Sequence, residues 1–520
     1  MKLLLIYPPF GTPGIVPYSI SYLKSFVTDN IDTAKNEVKC IDLNAKFHRF
    51  KFIKYYFKIK TVQNDGDYST VLSDFYKDST KVYSDNNKLI RTNLSLSKVD
   101  LGAEIGVADE RDDGDNGKNC EVEANSKSPE FFEQLLDLIL KEKPDLVAFS
   151  IVYSSQCFYA TALINKLNQL NIPCIVGGPS VNQNLKKIAP YLSNEVELLK
   201  LVKKINLAEL NLTKIGLDEQ GVDADRGGGD TAANDSCDCN NLNCETVSDY
   251  SDYDSKDYLS KHLIIPLKTC STCYYRQCAF CTHYKDECYF EFKLDRIKKT
   301  IEKSKQKYFF FIDDMISPSR LIELAEMLTP LNVFWSCQLK PTKELIPILP
   351  KLYESGLRCV CWGIESGNQR ILNLMKKGIT TEIAEQVLLE SKKVKIKNVV
   401  FIMFGFPTET ESEFKDTISF LEKNSNNIDL ISTSLFGLQQ GSKVYNDPKE
   451  FSIGKIIETP RTLLDDKISF EINPEVVKNS DCMTSQRAKE MKDNYRKSIN
   501  NLNKLPKIFN FFKEQIMFFD

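Results

Sequence analysis

Between Leu263 and Phe436 the chain alternates short apolar runs with amphipathic stretches at nearly constant spacing, and this alternation limits the fold more than any other feature. The runs Leu263–Leu267, Tyr308–Ile312, Val333–Cys337, Cys359–Ile364, Val399–Phe404 and Leu430–Phe436 read as buried strands. Between them, Leu294–Lys307, Leu321–Leu328 and Thr381–Lys393 carry apolar residues at helical period. Strand–helix repeats of this kind build a parallel sheet covered by helices. Six in succession predict a (β/α)6 partial TIM barrel over residues 261–450, with its site at the carboxyl ends of the strands.

Upstream the same pattern recurs less regularly. Leu3–Tyr7, a helix around Ile20–Phe26, Glu37–Leu43, Asp145–Ile151, a helix over Phe158–Leu170 and Pro173–Val176 predict a Rossmann-like doubly wound parallel sheet over residues 1–195. Its ligand crevice is expected at the carboxyl ends of its strands. Residues from about 85 to 127 lose hydrophobic periodicity and read as a low-complexity insertion, and a second such tract, about 218–255, lies within a linker over 196–260. Cys237, Cys239 and Cys244 fall in the second tract. From Phe451 to the end the pattern predicts a helical extension with an aromatic finish.

A chain of 520 residues is expected to hold two or three cores. Its net charge of -3 gives no field that would steer it onto nucleic acid or an anionic membrane, so a small-molecule or peptide substrate is expected and no nucleic acid. The opening apolar run stops at Pro8-Pro9, and no stretch reaches the roughly 18 apolar residues of a spanning helix, so no membrane span and a cytoplasmic location are expected. Sixteen cysteines in that compartment would serve as metal ligands or core thiols rather than disulfides.

Four of them, Cys270, Cys273, Cys278 and Cys281, lie within twelve residues directly after the first strand of the barrel. Their spacing admits two metals. Zinc would take all four thiolates in a closed structural site. A 4Fe-4S cluster would take three and leave one iron open. The position at the carboxyl end of a barrel strand favours the site of chemistry.

The segment CYYRQCAFC, Cys273 to Cys281, resembles the CYWxxCxFC loop of one branch of the radical S-adenosylmethionine superfamily. The order FIDD (Phe311–Asp314), WGIESG (Trp362–Gly367), MKKG (Met375–Gly378), GFPTET (Gly405–Thr410) and GSKVY (Gly441–Tyr445) is similar to that of the same branch. The resemblance implies Cys273, Cys278 and Cys281 as cluster ligands, with Cys270 a neighbour and Cys288 without a role. It implies contacts to S-adenosylmethionine from Phe280 beside the adenine and from Asp313, Glu365, Ser366 and Gly405. As plain pattern, Glu365 could be a strand-end carboxylate in a salt bridge, Gly405 a turn glycine and Lys376-Lys377 a solvated helix end.

Tyr7–Gly11, Asp42–Asn44, Phe149–Ile151 and Gly177–Ser180 are similar to the cobalamin-binding domain that precedes the barrel in that branch, which implies Gly11, Ser150, Gly177 and Gly178 as cobalamin contacts. The chain departs from that pattern in two places. It has only His48, His262 and His283, with no Asp-x-His-x-x-Gly segment, and after Ile188 no fifth strand is legible before EVELLKLVKKI. The resemblance implies an enzyme that cleaves S-adenosylmethionine reductively with an electron donor such as flavodoxin or ferredoxin. The resulting 5'-deoxyadenosyl radical would serve methylation of an unactivated carbon through cobalamin, or an oxidation, rearrangement or cross-link without it. A zinc-stabilised binding protein is the non-enzymatic alternative.

Overall fold

Leu3, Leu4, Leu5 and Ile6 are all fully buried, as a strand covered by helices on both faces requires. In the computed structural model, which describes residues 1–99, 129–208, 245–283, 288–461 and 463–519, they lie on an interior strand of a five-stranded parallel sheet. Its strands are β1 (Lys2–Tyr7), β2 (Glu37–Asp42), β3 (Leu146–Ser150), β4 (Cys174–Gly177) and β5 (Tyr191–Leu192), ordered β2-β1-β3-β4-β5. The order reverses between β1 and β3, and a doubly wound sheet opens its ligand crevice at such a switch point. The fifth strand that the sequence does not show is present, but only two residues long, and EVELLKLVKKI begins the helix Glu195–Ala208.

The second sheet holds β6 (Ile264–Leu267), β7 (Tyr308–Phe311), β8 (Phe334–Leu339), β9 (Leu357–Glu365), β10 (Lys397–Phe404) and β11 (Leu430–Leu435) in sequential, parallel order. β6 and β11 are its edges, so the six strands make an open barrel. Period-2 alternation sorts their side chains: Trp335, Leu339, Val360 and Trp362 pack under the helices, whereas Cys359, Cys361 and Val399 face a core shared with the first sheet. Ile508, Phe509, Phe512, Ile516 and Phe519 from the chain's aromatic end fill that shared core together with Phe10 and Phe47.

Three expectations need correction. Residues 85–99 continue the helix Asp65–Val99; Ser84 and Asp85 are exposed, while buried Asn86 accepts from Tyr159 Oη at 3.0 Å and Ile90 is buried. Residues 245–255 are also ordered, because Tyr250 and Tyr253 pack inward and Tyr250 Oη donates to the Pro266 carbonyl at 2.5 Å. The remainder of both tracts, with Cys237, Cys239 and Cys244, lies outside the described residues. Finally, the carboxyl-terminal region opens on an antiparallel hairpin, β12 (Ile453–Thr459) and β13 (Lys467–Ile472), before its helices Pro474–Asn479 and Ser485–Asn501. Ile468, Phe470 and Ile472 alternate as a half-covered strand does, and pack on Phe406 and Phe436. Among the described residues no helix is long and apolar enough to cross a membrane.

Candidate cluster and cofactor site

The cysteine loop leaves the carboxyl end of β6 and is held at both ends by two adjacent acids that follow β7. Asp313 Oδ1 accepts from the amides of Thr269 (2.7 Å) and Cys270 (2.9 Å), before the first expected ligand. Asp314 Oδ1 pairs with His283 Nδ1 at 2.7 Å, two residues past Cys281, and this bond holds the imidazole's pKa above its usual value. The loop also closes on itself, since Thr272 Oγ1 donates to the His283 carbonyl at 2.8 Å. Cys270 is fully buried and turns its thiol to Asp313 Oδ1 at 3.2 Å. Burial, with the Asp313 charge beside it, raises its pKa far above the usual thiol value, so it is a hydrogen-bond donor here.

The middle of the loop rests on the MKKG segment. Tyr275 Oη donates to the Lys376 carbonyl (2.9 Å), the Ala279 amide to the Met375 carbonyl (2.9 Å) and the Val444 amide to the Ala279 carbonyl (3.1 Å). Gly378 is required at this contact. Its φ is +63°, and a Cβ there would lie 2.1 Å from Tyr275 Oη.

Cys273, Cys278 and Cys281 are half-buried, and none is in a disulfide. Burial pushes the Cys278 thiol up and the Cys281 thiol up to about 11, so these thiols need a cation to deprotonate them at neutral pH. Two buried lysines face them. Lys377 pairs with Glu365 at 2.9 Å and sits 5.6 Å from the ring of Phe280. The pair fits because Gly363 lacks a side chain: a Cβ would lie 3.0 Å from both Glu365 Oε1 and Lys377 Nζ. Lys340, one residue past β8, is 6% exposed and lays its ammonium over the Tyr275 ring, 3.1 Å from the centroid. Burial lowers its pKa to about 8.

The structure thus brings Phe280, Asp313 and Glu365 to the cysteine loop. Asp313 does so as the loop's anchor; its second oxygen is buried without a hydrogen-bond partner. Ser366 and Gly405 face elsewhere. Ser366 is fully buried, accepts from the Asn368 amide at 3.1 Å and meets Thr417 Oγ1 at 3.2 Å in the helix layer. Gly405, at φ +75°, donates its amide to Glu409 at 2.5 Å, and a Cβ there would lie 2.8 Å from Ala488 Cβ. Lys377, expected at a solvated helix end, is instead buried in an ion pair. Sequence reasoning passed over Lys340, although its place just beyond a barrel strand was the available signal.

At the first sheet the expected cobalamin contacts lie together at the carboxyl edge, largely engaged by the protein itself. Gly11 donates its amide to Asn44 Oδ1 (2.7 Å), and Ser150 Oγ donates to Ser19 Oγ (2.8 Å). Gly178, at φ +112°, lets the loop after β4 pass so close to β3 that a Cβ would lie 2.4 Å from the Ile151 carbonyl oxygen; one on Gly177 would lie 3.3 Å from that of Leu192. Tyr153, half exposed, stands beside Gly11. His48 is buried against the Asn44 carbonyl and Tyr83, away from solvent.

Residues 267–421 match the family model of the Radical SAM superfamily, a span that contains the cysteine loop, β7 to β10 and most of the helix Glu411–Lys423. This sheet and its loop are therefore a radical S-adenosylmethionine domain, which implies a 4Fe-4S cluster and S-adenosylmethionine as cofactors. The tRNA-2-methylthio-N(6)-dimethylallyladenosine synthase of Thermotoga petrophila is 35% identical over 121 residues, 22% of this chain and 26% of that protein. Bacteriochlorophyllide d C-12(1)-methyltransferase of Chlorobaculum tepidum is 30% identical over 162 residues, 28% of this chain and 35% of that protein. The matches thus span about a quarter to a third of these relatives. A likeness over nearly the whole chain is to the radical S-adenosylmethionine methyltransferase TsrM from Kitasatospora setae, with TM-score 0.57, 13% identity, and coverage of 98% of this chain and 92% of that one. At that identity the likeness establishes the fold, with both sheets in one arrangement.

Proposed function

We propose that this enzyme uses S-adenosylmethionine to generate a 5'-deoxyadenosyl radical for cobalamin-dependent methylation of an unactivated carbon. The observation that carries the reading is the union in one chain of a doubly wound sheet and a radical S-adenosylmethionine domain, the arrangement of TsrM, which has been solved with cobalamin and a [4Fe-4S] cluster bound. The relatives named as methylthio- and methyltransferases point the same way.

The donor set fits a three-thiolate cluster. Cys273, Cys278 and Cys281 would hold it, while Cys270 is committed to Asp313. When bound, such a cluster supplies one electron and an open iron for S-adenosylmethionine. The chain's own part is positioning and exclusion of water. Asp313 and Asp314 fix the loop, Tyr275 seals it against the MKKG segment, and Phe280, Lys377 and Glu365 offer a ring, an ammonium and a carboxylate beside it.

For cobalamin the fit rests on the crevice at the β1/β3 switch point with Gly11 and Tyr153 at its rim. His262 stacks on Tyr308 and His283 pairs with Asp314, while His48 is buried behind this rim, against the Asn44 carbonyl and Phe10.

The test is twofold. Anaerobically reconstituted protein given S-adenosylmethionine and dithionite should release 5'-deoxyadenosine, measured by mass spectrometry. Protein incubated with hydroxocobalamin should retain the coloured cofactor after desalting. Release without retention would overturn the methylation reading and leave a cobalamin-independent radical reaction.

A further inference from the structure

Lys340 is a buried ammonium for which no acid among the described residues lies within ion-pair distance. Burial of an unpaired charge is costly, so such a group ordinarily has a countercharge or a task. The Tyr275 ring, between Cys273 and Cys278, receives the ammonium at 3.1 Å from its centroid. Cys273, Cys278, Lys377 and Glu344 are the titratable groups that act on it. Lys377 is neutralised by Glu365 at 2.9 Å. The face of the loop that carries the three thiols therefore meets one compensated and one uncompensated cation.

We propose that Lys340 is the countercharge of the iron-sulfur cluster and sets its reduction potential, a positioning role that rests on the cluster assignment above. Three thiolates on a cubane leave a net negative charge, which grows by one when the cluster takes an electron from its donor; no bond is made or broken in that step. A fixed positive charge beside it stabilises the more negative state and raises the potential. The aromatic seat matters because a ring face holds an ammonium in place without neutralising it.

The experiment is an EPR-monitored redox titration of reconstituted full-length protein, without S-adenosylmethionine, comparing wild type with Lys340→Gln and Lys340→Arg. Lys340→Gln should retain iron and its EPR signal while the equilibrium constant for one-electron reduction falls about tenfold or more, as expected for loss of a nearby charge at low dielectric; that is about 59 mV toward negative potential. Lys340→Arg should stay within about threefold of wild type. If Lys340→Gln does not fold, the arginine variant and Tyr275→Leu, which removes the seat, replace it, with Tyr275→Leu expected to lower the potential. An unchanged potential in the charge-removing variant would overturn the proposal, even if affinity for S-adenosylmethionine drops. Wild-type protein that takes up no cluster would instead overturn the cluster assignment.

Discussion

Asp313 Oδ1 accepts three hydrogen bonds from the root of the cysteine loop: the Thr269 amide at 2.7 Å, the Cys270 amide at 2.9 Å and the Cys270 thiol at 3.2 Å. A single buried carboxylate oxygen thus fixes where the loop departs from β6. Asp313→Ala leaves the two amides buried without an acceptor, each at a cost of about 1–3 kcal/mol, while the Cys270 thiol still reaches the Thr272 carbonyl at 3.3 Å. Lower iron content after reconstitution and a lower melting temperature are expected, with Asp313→Asn between wild type and Asp313→Ala because its amide oxygen still accepts. Wild-type iron content in Asp313→Ala would contradict the anchoring role.

The contact of Gly378 with Tyr275 makes a pairwise prediction. Gly378→Ala places a methyl 2.1 Å from Tyr275 Oη at a backbone φ of +63°. Left-handed backbone alone costs a side chain about 1–2 kcal/mol, and the clash adds to it. Tyr275→Phe loses one hydrogen bond, about 1 kcal/mol. In urea unfolding the double variant should be more stable than the sum of the two single losses allows, because the phenyl ring relieves the hydroxyl contact. Simple additivity would place Tyr275 elsewhere.

Glu365 and Lys377 form a largely buried pair at 2.9 Å. Removing one partner strands the other's charge, so Lys377→Met or Glu365→Gln alone should cost about 3–5 kcal/mol. The double variant should cost less than the worse single variant. Unfolding free energies that merely add would show that the two do not meet.

The six barrel strands were legible because each is a short apolar run between helices of clear period, and the observed Tyr308–Phe311 and Lys397–Phe404 differ from the sequence reading only at their ends. The cysteine loop was legible for a different reason, since four thiols in twelve residues do not arise from packing. Lys377 was not, because adjacent lysines at a helix end read as solvated; its burial depends on the room left by Gly363 beside the Glu365 carboxylate and is visible only in three dimensions. Ser366 and Gly405 carry family motifs yet serve the helix layer and a turn. The helix Asp65–Val99 hid behind a polar face, and its packing depends on Asn86 meeting Tyr159 across the fold.

Glu514 gives a pH dependence. Burial raises its carboxyl from 4.5 to about 7, and Oε1 is buried without a hydrogen-bond partner. It lies against Gly14, where a Cβ would come within 2.6 Å of that oxygen. Between these two pH values the folded chain holds a proton that the unfolded chain has released, so this group's contribution to stability falls as pH rises from about 4.5 to about 7. Glu514→Gln removes that dependence. Its melting temperature should exceed that of wild type at pH 8, by up to about 3 kcal/mol in free energy, with the difference shrinking toward pH 4.5. A constant difference across the range would show that Glu514 does not titrate in the folded protein.

The three-thiolate cluster is tested most directly by iron and sulfide content with EPR on anaerobically reconstituted wild type and four single Cys→Ala variants. Wild type and Cys270→Ala should each bind about four irons and four sulfides per chain, with a spectrum that changes on addition of S-adenosylmethionine. Cys273→Ala, Cys278→Ala and Cys281→Ala should each lose the cluster. Loss in Cys270→Ala equal to that in the other three, or stoichiometric zinc in place of iron, would contradict the account.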